Sequence, residues 1–150
     1  MTETPDFYAS YARFKSYQTP GLKPRTMRDF DREVAAPLAL TPSMAVLEIG
    51  CGTGQLLAYL KKKGVTDLLG IDQDAAIAPH LPEGIAAHFR AVGVWEFLAN
   101  PDGRSFDRII LNDVLEHFTV EEGHRLLRSL RPLLRPGGRI LVRVPRSEEH

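Results

Sequence analysis

Two hydrophobic rhythms divide the chain. Up to about residue 42 the apolar positions recur at helical spacing. Tyr8, Tyr11, Phe14 and Tyr17 fall three apart, and Met27, Phe30, Val34 and Leu38 form a second stripe. Pro20, Gly21 and Pro24 separate the two stripes; Thr26 is positioned to cap the second, and Pro37 is expected to bend or end it. From Met44 onward short apolar runs alternate with helical patterns. AVLEIG, DLLGID, AHFRAV, FDRIILN and RILVRV read as strands, and 55–63, 74–80, 94–100 and 120–134 read as helices. Such alternation predicts crossover units, with a parallel sheet covered by helices on both faces. The all-apolar stretch from Ile109 to Leu111 fits a strand buried on both sides. At 135–138 the RPGG is expected to stop the last helix at Pro136 and turn the chain into the last strand.

Composition narrows the class without changing this picture. A chain of 150 residues, 43% hydrophobic and 25% charged, is long enough for one domain with a real core. Its 19 basic and 19 acidic residues balance, so bulk charge favours neither nucleic acid nor an anionic membrane. A single cysteine, Cys51, excludes an intrachain disulfide and fits a reducing compartment. The first residues lack a basic start and apolar stretch, and no apolar run approaches the roughly 20 residues of a spanning helix. The reading is a cytoplasmic, soluble protein.

The chemistry concentrates where the first strand meets the first following helix. VLEIGCGTG puts Gly50, Gly52 and Gly54 in one short loop, at the strand end where open parallel sheets bind ligands. A dinucleotide site wants G-x-G-x-x-G and a phosphate loop wants G-K-[ST]; neither is present. Glu48, two residues ahead, would disfavour a pyrophosphate at the mouth of the site and attract a cation. Asp72 ends the second strand, where a carboxylate accepts hydrogen bonds from ribose hydroxyls. A phosphate-free nucleoside with a cationic tail satisfies both.

These motifs, with FDRIILNDVLEHF and LLRPGGRILVRVP after them, resemble in order and spacing those of class I S-adenosylmethionine-dependent methyltransferases, small-molecule group. The resemblance covers 46–145. It implies a Rossmann-like α/β sandwich with a five-stranded parallel sheet in the order 3-2-1-4-5, without the family's usual sixth and seventh strands. On this reading 1–42 is an N-terminal helical lid segment, and 43–150 is the S-adenosylmethionine-binding domain, a single compact unit truncated after its fifth strand.

The same resemblance assigns roles. Gly50, Cys51, Gly52, Thr53 and Gly54 approach the methionine part of the cofactor, with Cys51 as loop filler instead of nucleophile. Asp72 takes the ribose hydroxyls and Gln73 neighbours the adenine. Gly93 stands where relatives carry an adenine-binding aspartate, which leaves the Val94 N–H and apolar contact from Trp95 for that task. Asn112 lies beside the cofactor's amino group or sulfonium, and His117, with Asp113 near it, faces the acceptor. A base is needed only where the acceptor must lose a proton. From the lid, Tyr11 and Tyr17 are candidates to touch cofactor or acceptor. No metal is expected.

The expected function is methyl transfer from S-adenosyl-L-methionine to a small-molecule acceptor, leaving S-adenosyl-L-homocysteine. Two alternatives stand beside it: a non-catalytic cofactor- or partner-binding fragment, and an RNA methyltransferase using the basic face of Arg125, Arg128, Arg131 and Arg135, with Arg139, Arg143 and Arg146 beyond. No nucleic acid or membrane partner is expected. The last strand, 139–144, would present an apolar edge, so a homodimer or other edge pairing is expected.

Overall fold

The computed structural model describes residues 19–144. Five strands, β1 (Ala45–Ile49), β2 (Asp67–Asp72), β3 (Phe89–Ala91), β4 (Phe106–Asn112) and β5 (Leu134–Arg143), form one all-parallel sheet in the order β3-β2-β1-β4-β5. The expected Rossmann-like architecture and strand order are therefore observed. The order reverses at β1, so the crevice for a ligand lies outside the carboxyl ends of β1, β2 and β4.

Alternation along the strands divides the core into two layers. Val46 and Ile110 face helix α1 (24–38) and helix α2 (Gln55–Lys62), packing on Phe30, Val34, Leu38, Leu57 and Leu60. Leu47, Ile109 and Leu111 face helix α3 (Val94–Ala99) and helix α4 (Val120–Leu130), packing on Phe97, Leu126 and Leu130. Thr119 and Glu122 close a reciprocal capping box at the start of α4. No helix among the described residues is long and apolar enough to cross a membrane.

Three local expectations are corrected and a fourth is met. Helix α1 begins at Pro24, whose missing N–H costs nothing in the first turn, so Thr26 lies inside the helix and is not its cap. Pro37 ends it as expected, one residue on at Leu38, and a π-helical turn, Asp31–Ala35, precedes the last turn, Ala36–Leu38. The Pro37 ring would meet the carbonyl four residues back, that of Glu33, and the widened turn contains that residue. The segment expected as a helix over 74–80 is a 3₁₀ turn, Ala75–His80, capped by the Asp74 carboxylate. Finally, α4 ends at Leu130, a 3₁₀ turn (Arg131–Leu133) follows, and β5 already begins at Leu134. The RPGG is a bulge within β5, where 135–138 face residue 107 alone between the Phe106–Leu134 and Arg108–Arg139 pairs.

Helix α1 is anchored into the layer it covers. The Phe30 and Tyr59 rings are 5.1 Å apart, and the Arg108 guanidinium donates to the Leu38 carbonyl at 2.6 Å. The basic residues also have work inside the fold. Arg125 lies 4.2 Å from the Trp95 ring centre, Arg135 pairs with Asp107 at 3.1 Å, and Arg139 donates to the Pro37 carbonyl.

Candidate functional site

The loop after β1 is pressed between the neighbouring strands. The N–H groups of Gly50 and Cys51 both donate to the Ile71 carbonyl on β2, at 2.9 and 3.1 Å. Gly50 has φ +78°, and a Cβ there would sit 2.7 Å from the Asn112 carbonyl oxygen and 2.7 Å from Val114 Cγ2. Only glycine satisfies both the torsion and the contact. Two residues on, Gly52 has φ +53° but nothing within 4 Å of its would-be Cβ, so its backbone faces open space. Gly54 then supplies the left-handed N-cap of α2.

Asp72 ties this loop to β2. One carboxylate oxygen accepts the Gly52 N–H at 3.1 Å and the other accepts the Asp74 N–H at 3.0 Å. Burial raises its pKa, while the two N–H bonds oppose the shift. Capping of the next turn falls to Asp74, which leaves Asp72 beside the open backbone of Gly52. Cys51 is buried, and desolvation pushes its thiol far above the ordinary range. It is no nucleophile at neutral pH, which agrees with a packing role.

On the adenine side, Gly93 is the N-cap of α3 with ordinary extended backbone, and Val94 opens the helix. A Cβ at Gly93 would find Gln73 Oε1 as its nearest neighbour, at 3.9 Å, so the two positions adjoin and a side chain has room. Trp95 packs between Phe118 and Arg125.

Glu48 departs from expectation. It is fully buried, not at the mouth of the site. Period two along β1 puts its side chain on the face of Val46, toward α1 and α2. Desolvation pushes its pKa up to about 8, against the Asn112 hydrogen bond and the Arg143 charge, so it is mostly protonated at neutral pH. Attraction of a cation by a Glu48 charge is therefore withdrawn. One oxygen accepts from Asn112 Nδ2 at 2.9 Å; the other, Oε1, is buried without a partner in the structure.

Asn112 ends β4 in the middle of a polar chain. Its Oδ1 accepts from the Arg143 guanidinium at 3.3 Å, and the same guanidinium donates to Glu33 on α1 at 3.3 Å. Asp113 follows in the left-handed region, φ +56°, its N–H bonded to the Arg143 carbonyl at 2.9 Å. These groups border a cavity of about 890 Å³, lined among others by Glu33, Cys51, Thr53, Asn112, Asp113 and Arg143. His117 is not among the lining residues: its side chain is 73% exposed, 3.8 Å from Glu116. Tyr11 and Tyr17 lie outside the described residues. No group of His, Cys, Asp and Glu among the described residues is arranged to hold a metal.

Sequence reasoning missed Arg143 and Glu33. It counted Arg143 with a basic surface, although an arginine at the carboxyl end of a parallel strand stands where such sheets build their sites.

Residues 22–150 match the model of a family described as a methyltransferase domain. The chain belongs to that methyltransferase family. Among its relatives, a trans-aconitate 2-methyltransferase of Deinococcus radiodurans is 31% identical over 125 residues, covering 79% of this chain and 45% of that protein. A ubiquinone biosynthesis O-methyltransferase of Xanthomonas campestris pv. campestris is 31% identical over 113 residues, covering 73% and 46%. A tRNA U34 carboxymethyltransferase of Idiomarina loihiensis is 32% identical over 106 residues, covering 65% and 31%. The chain thus spans less than half the length of these relatives. Among solved structures, the plantazolicin methyltransferase in complex with a pentazolic desmethylPZN analogue and SAH has a TM-score of 0.65 at 24% identity, over 93% of this chain and 53% of that one. This likeness shows the shared fold.

Proposed function

We propose that this methyltransferase-family chain binds S-adenosylmethionine and transfers its methyl group to a small-molecule acceptor. The observation that carries the reading is the open backbone of Gly52 hydrogen-bonded to the buried carboxylate of Asp72, at the adjoining ends of β1 and β2. A loop free of side chains beside a carboxylate fits a nucleoside whose tail carries no phosphate. SAH in a protein of the same fold supports the same cofactor. When bound, the cofactor supplies an electrophilic methyl group on a sulfonium.

The chain's residues divide the remaining tasks. Asp72 accepts from the ribose hydroxyls, Gly50 to Gly54 line the methionine portion, and Gln73 with the Val94 N–H meets the adenine. Asn112 and Asp113 border the cavity at the amino-acid and acceptor side. Where the acceptor is a hydroxyl, Asp113 is the better-situated base, because it lines the cavity and the exposed His117 does not. Phe30 and Glu33, also on the cavity wall, suit helix α1 to the covering role expected of the N-terminal segment. Otherwise alignment and exclusion of water carry the acceleration.

Trans-aconitate and ubiquinone precursors, taken from the relatives' names, are the first acceptors to test with methyl-labelled S-adenosylmethionine. Transfer to one of them supports the proposal. Tight cofactor binding with no transfer to a broad acceptor panel favours a non-catalytic binding module. The tRNA-directed relative makes RNA the second arm: steeply salt-dependent binding and methylation of tRNA would replace the small-molecule reading. The pairing of Arg125, Arg135 and Arg139 within the fold argues against that arm. Among the described residues β5 is an edge strand, with Val142 39% exposed and Val144 just beyond it 55% exposed, which supports association through 139–144. Light scattering tests it, and a monomer at high concentration contradicts it.

A further inference from the structure

The polar chain behind the cavity spans three strands and a helix. Arg143 on β5 donates at 3.3 Å to Asn112 on β4 and at 3.3 Å to Glu33 on α1, and Asn112 donates at 2.9 Å to Glu48 on β1. The Arg143 carbonyl also accepts the Asp113 N–H at 2.9 Å, and its guanidinium lies 5.4 Å from the centre of the Phe30 ring. An exposed arginine at a strand end would sample many rotamers. Here two acceptors and an aromatic face fix it, with its side chain only 26% exposed.

We infer that Arg143 is a positioning residue: its side chain sets the orientation of Asn112, its backbone holds Asp113, and Glu33 brings helix α1 into the same site. The physical reason lies in the Asn112 amide. Two of its possible orientations exchange donor and acceptor ends. Glu48 alone does not choose between them, since a protonated carboxyl both donates and accepts. Arg143 only donates, so it forces Asn112 Oδ1 toward β5 and Nδ2 toward Glu48. That orientation presents one fixed pattern to any ligand at the end of β4. Asp113, in a left-handed conformation, is bonded through its N–H to the same residue's carbonyl, so the two cavity-lining positions at the end of β4 depend on a single side chain and its own backbone.

The inference rests on the cofactor reading for its functional consequence but not for its structural one, and the test separates them. Wild type, Arg143→Met, Arg143→Lys and Glu33→Gln are compared by NMR of the Asn112 side-chain amide and by calorimetric titration with S-adenosylhomocysteine. Arg143→Met should shift the Asn112 amide resonances strongly and leave those of Gly84 unmoved. It should also weaken binding of S-adenosylhomocysteine about tenfold. Arg143→Lys should restore part of the affinity, because one cationic donor still reaches Oδ1. Glu33→Gln, which keeps the fold should the Arg143 variants lose it, should give the same changes at smaller amplitude. Unmoved Asn112 resonances in Arg143→Met, or in Glu33→Gln if that is the only soluble variant, overturn the inference. So does wild-type affinity in Arg143→Met. If wild type fails to bind S-adenosylhomocysteine, the cofactor reading falls and the NMR comparison alone decides the positioning role.

Discussion

The two flanks of the site are built by different means. On the β1–β2 flank, backbone torsion and backbone hydrogen bonds do the work: Gly50 and Cys51 share the Ile71 carbonyl, and Gly52 is pinned to Asp72. On the β4–β5 flank, side chains do it, through Glu48, Asn112, Arg143 and Glu33. The first arrangement is rigid because hydrogen bonds to β2 hold Gly50, Cys51 and Gly52, and the Gly50 torsion and contact admit only glycine. The second is held by side chains that fix one another, so a substitution or a change of protonation at one is felt along the whole polar chain.

Breaking the rigid flank should give the largest effect. Gly50→Ala forces a Cβ to 2.7 Å from the Asn112 carbonyl at a positive φ, so unfolding in urea should show a loss of about 3 kcal/mol. A loss under 1 kcal/mol, roughly an ordinary surface substitution, would mean the loop relaxes freely and the distinction between the flanks is wrong.

The side-chain flank should answer to pH. Glu48 has its pKa raised from the usual 4.5 to about 8, so the folded state holds the proton more tightly than the unfolded state. Its contribution to stability is therefore complete below the ordinary carboxyl range and is lost as pH rises through about 8. Between about pH 5 and 8, wild type should lose on the order of 3 kcal/mol relative to Glu48→Gln, read from urea midpoints at each pH. Parallel curves for the two proteins would show that Glu48 titrates as an exposed carboxylate.

The smallest expected effect sharpens the adenine end. Gly93→Asp adds a carboxylate where the resemblance to the family's third-strand pattern expects one and where Gln73 Oε1, at 3.9 Å, is the nearest obstacle. Affinity for S-adenosylhomocysteine should rise by a few fold, about one hydrogen bond's net worth. Unchanged affinity would count against the alignment of the third strand with the family pattern.

This division also explains what could be read before the fold was known. Alternating apolar runs gave the sheet and its layers, because burial on two faces leaves a one-dimensional trace at Ile109 to Leu111. The glycine loop and Asp72 were legible because torsion and strand-end position constrain residue type locally. Arg143 and Glu33 were not, since they meet across 110 positions of sequence and either residue type is ordinary on a surface. Glu48 was noticed but misread. Proximity to the loop suggested the mouth of the site, whereas its place on β1, opposite Gly70 on one side and Ile110 on the other, buries it. The RPGG bulge was mistaken for a helix exit for a related reason: Pro and Gly mark an interruption without saying which element is interrupted.

The central claim is that Gly52 and Asp72 form the floor of a nucleoside site for S-adenosylmethionine. Calorimetric titration of wild type and Asp72→Ala with S-adenosylmethionine and S-adenosylhomocysteine tests it most directly. Both ligands should bind wild type, and affinity should fall about a hundredfold in Asp72→Ala, as expected for loss of a charged acceptor serving two hydroxyls. Equal affinity in the two proteins, or no heat of binding in wild type, would contradict the account.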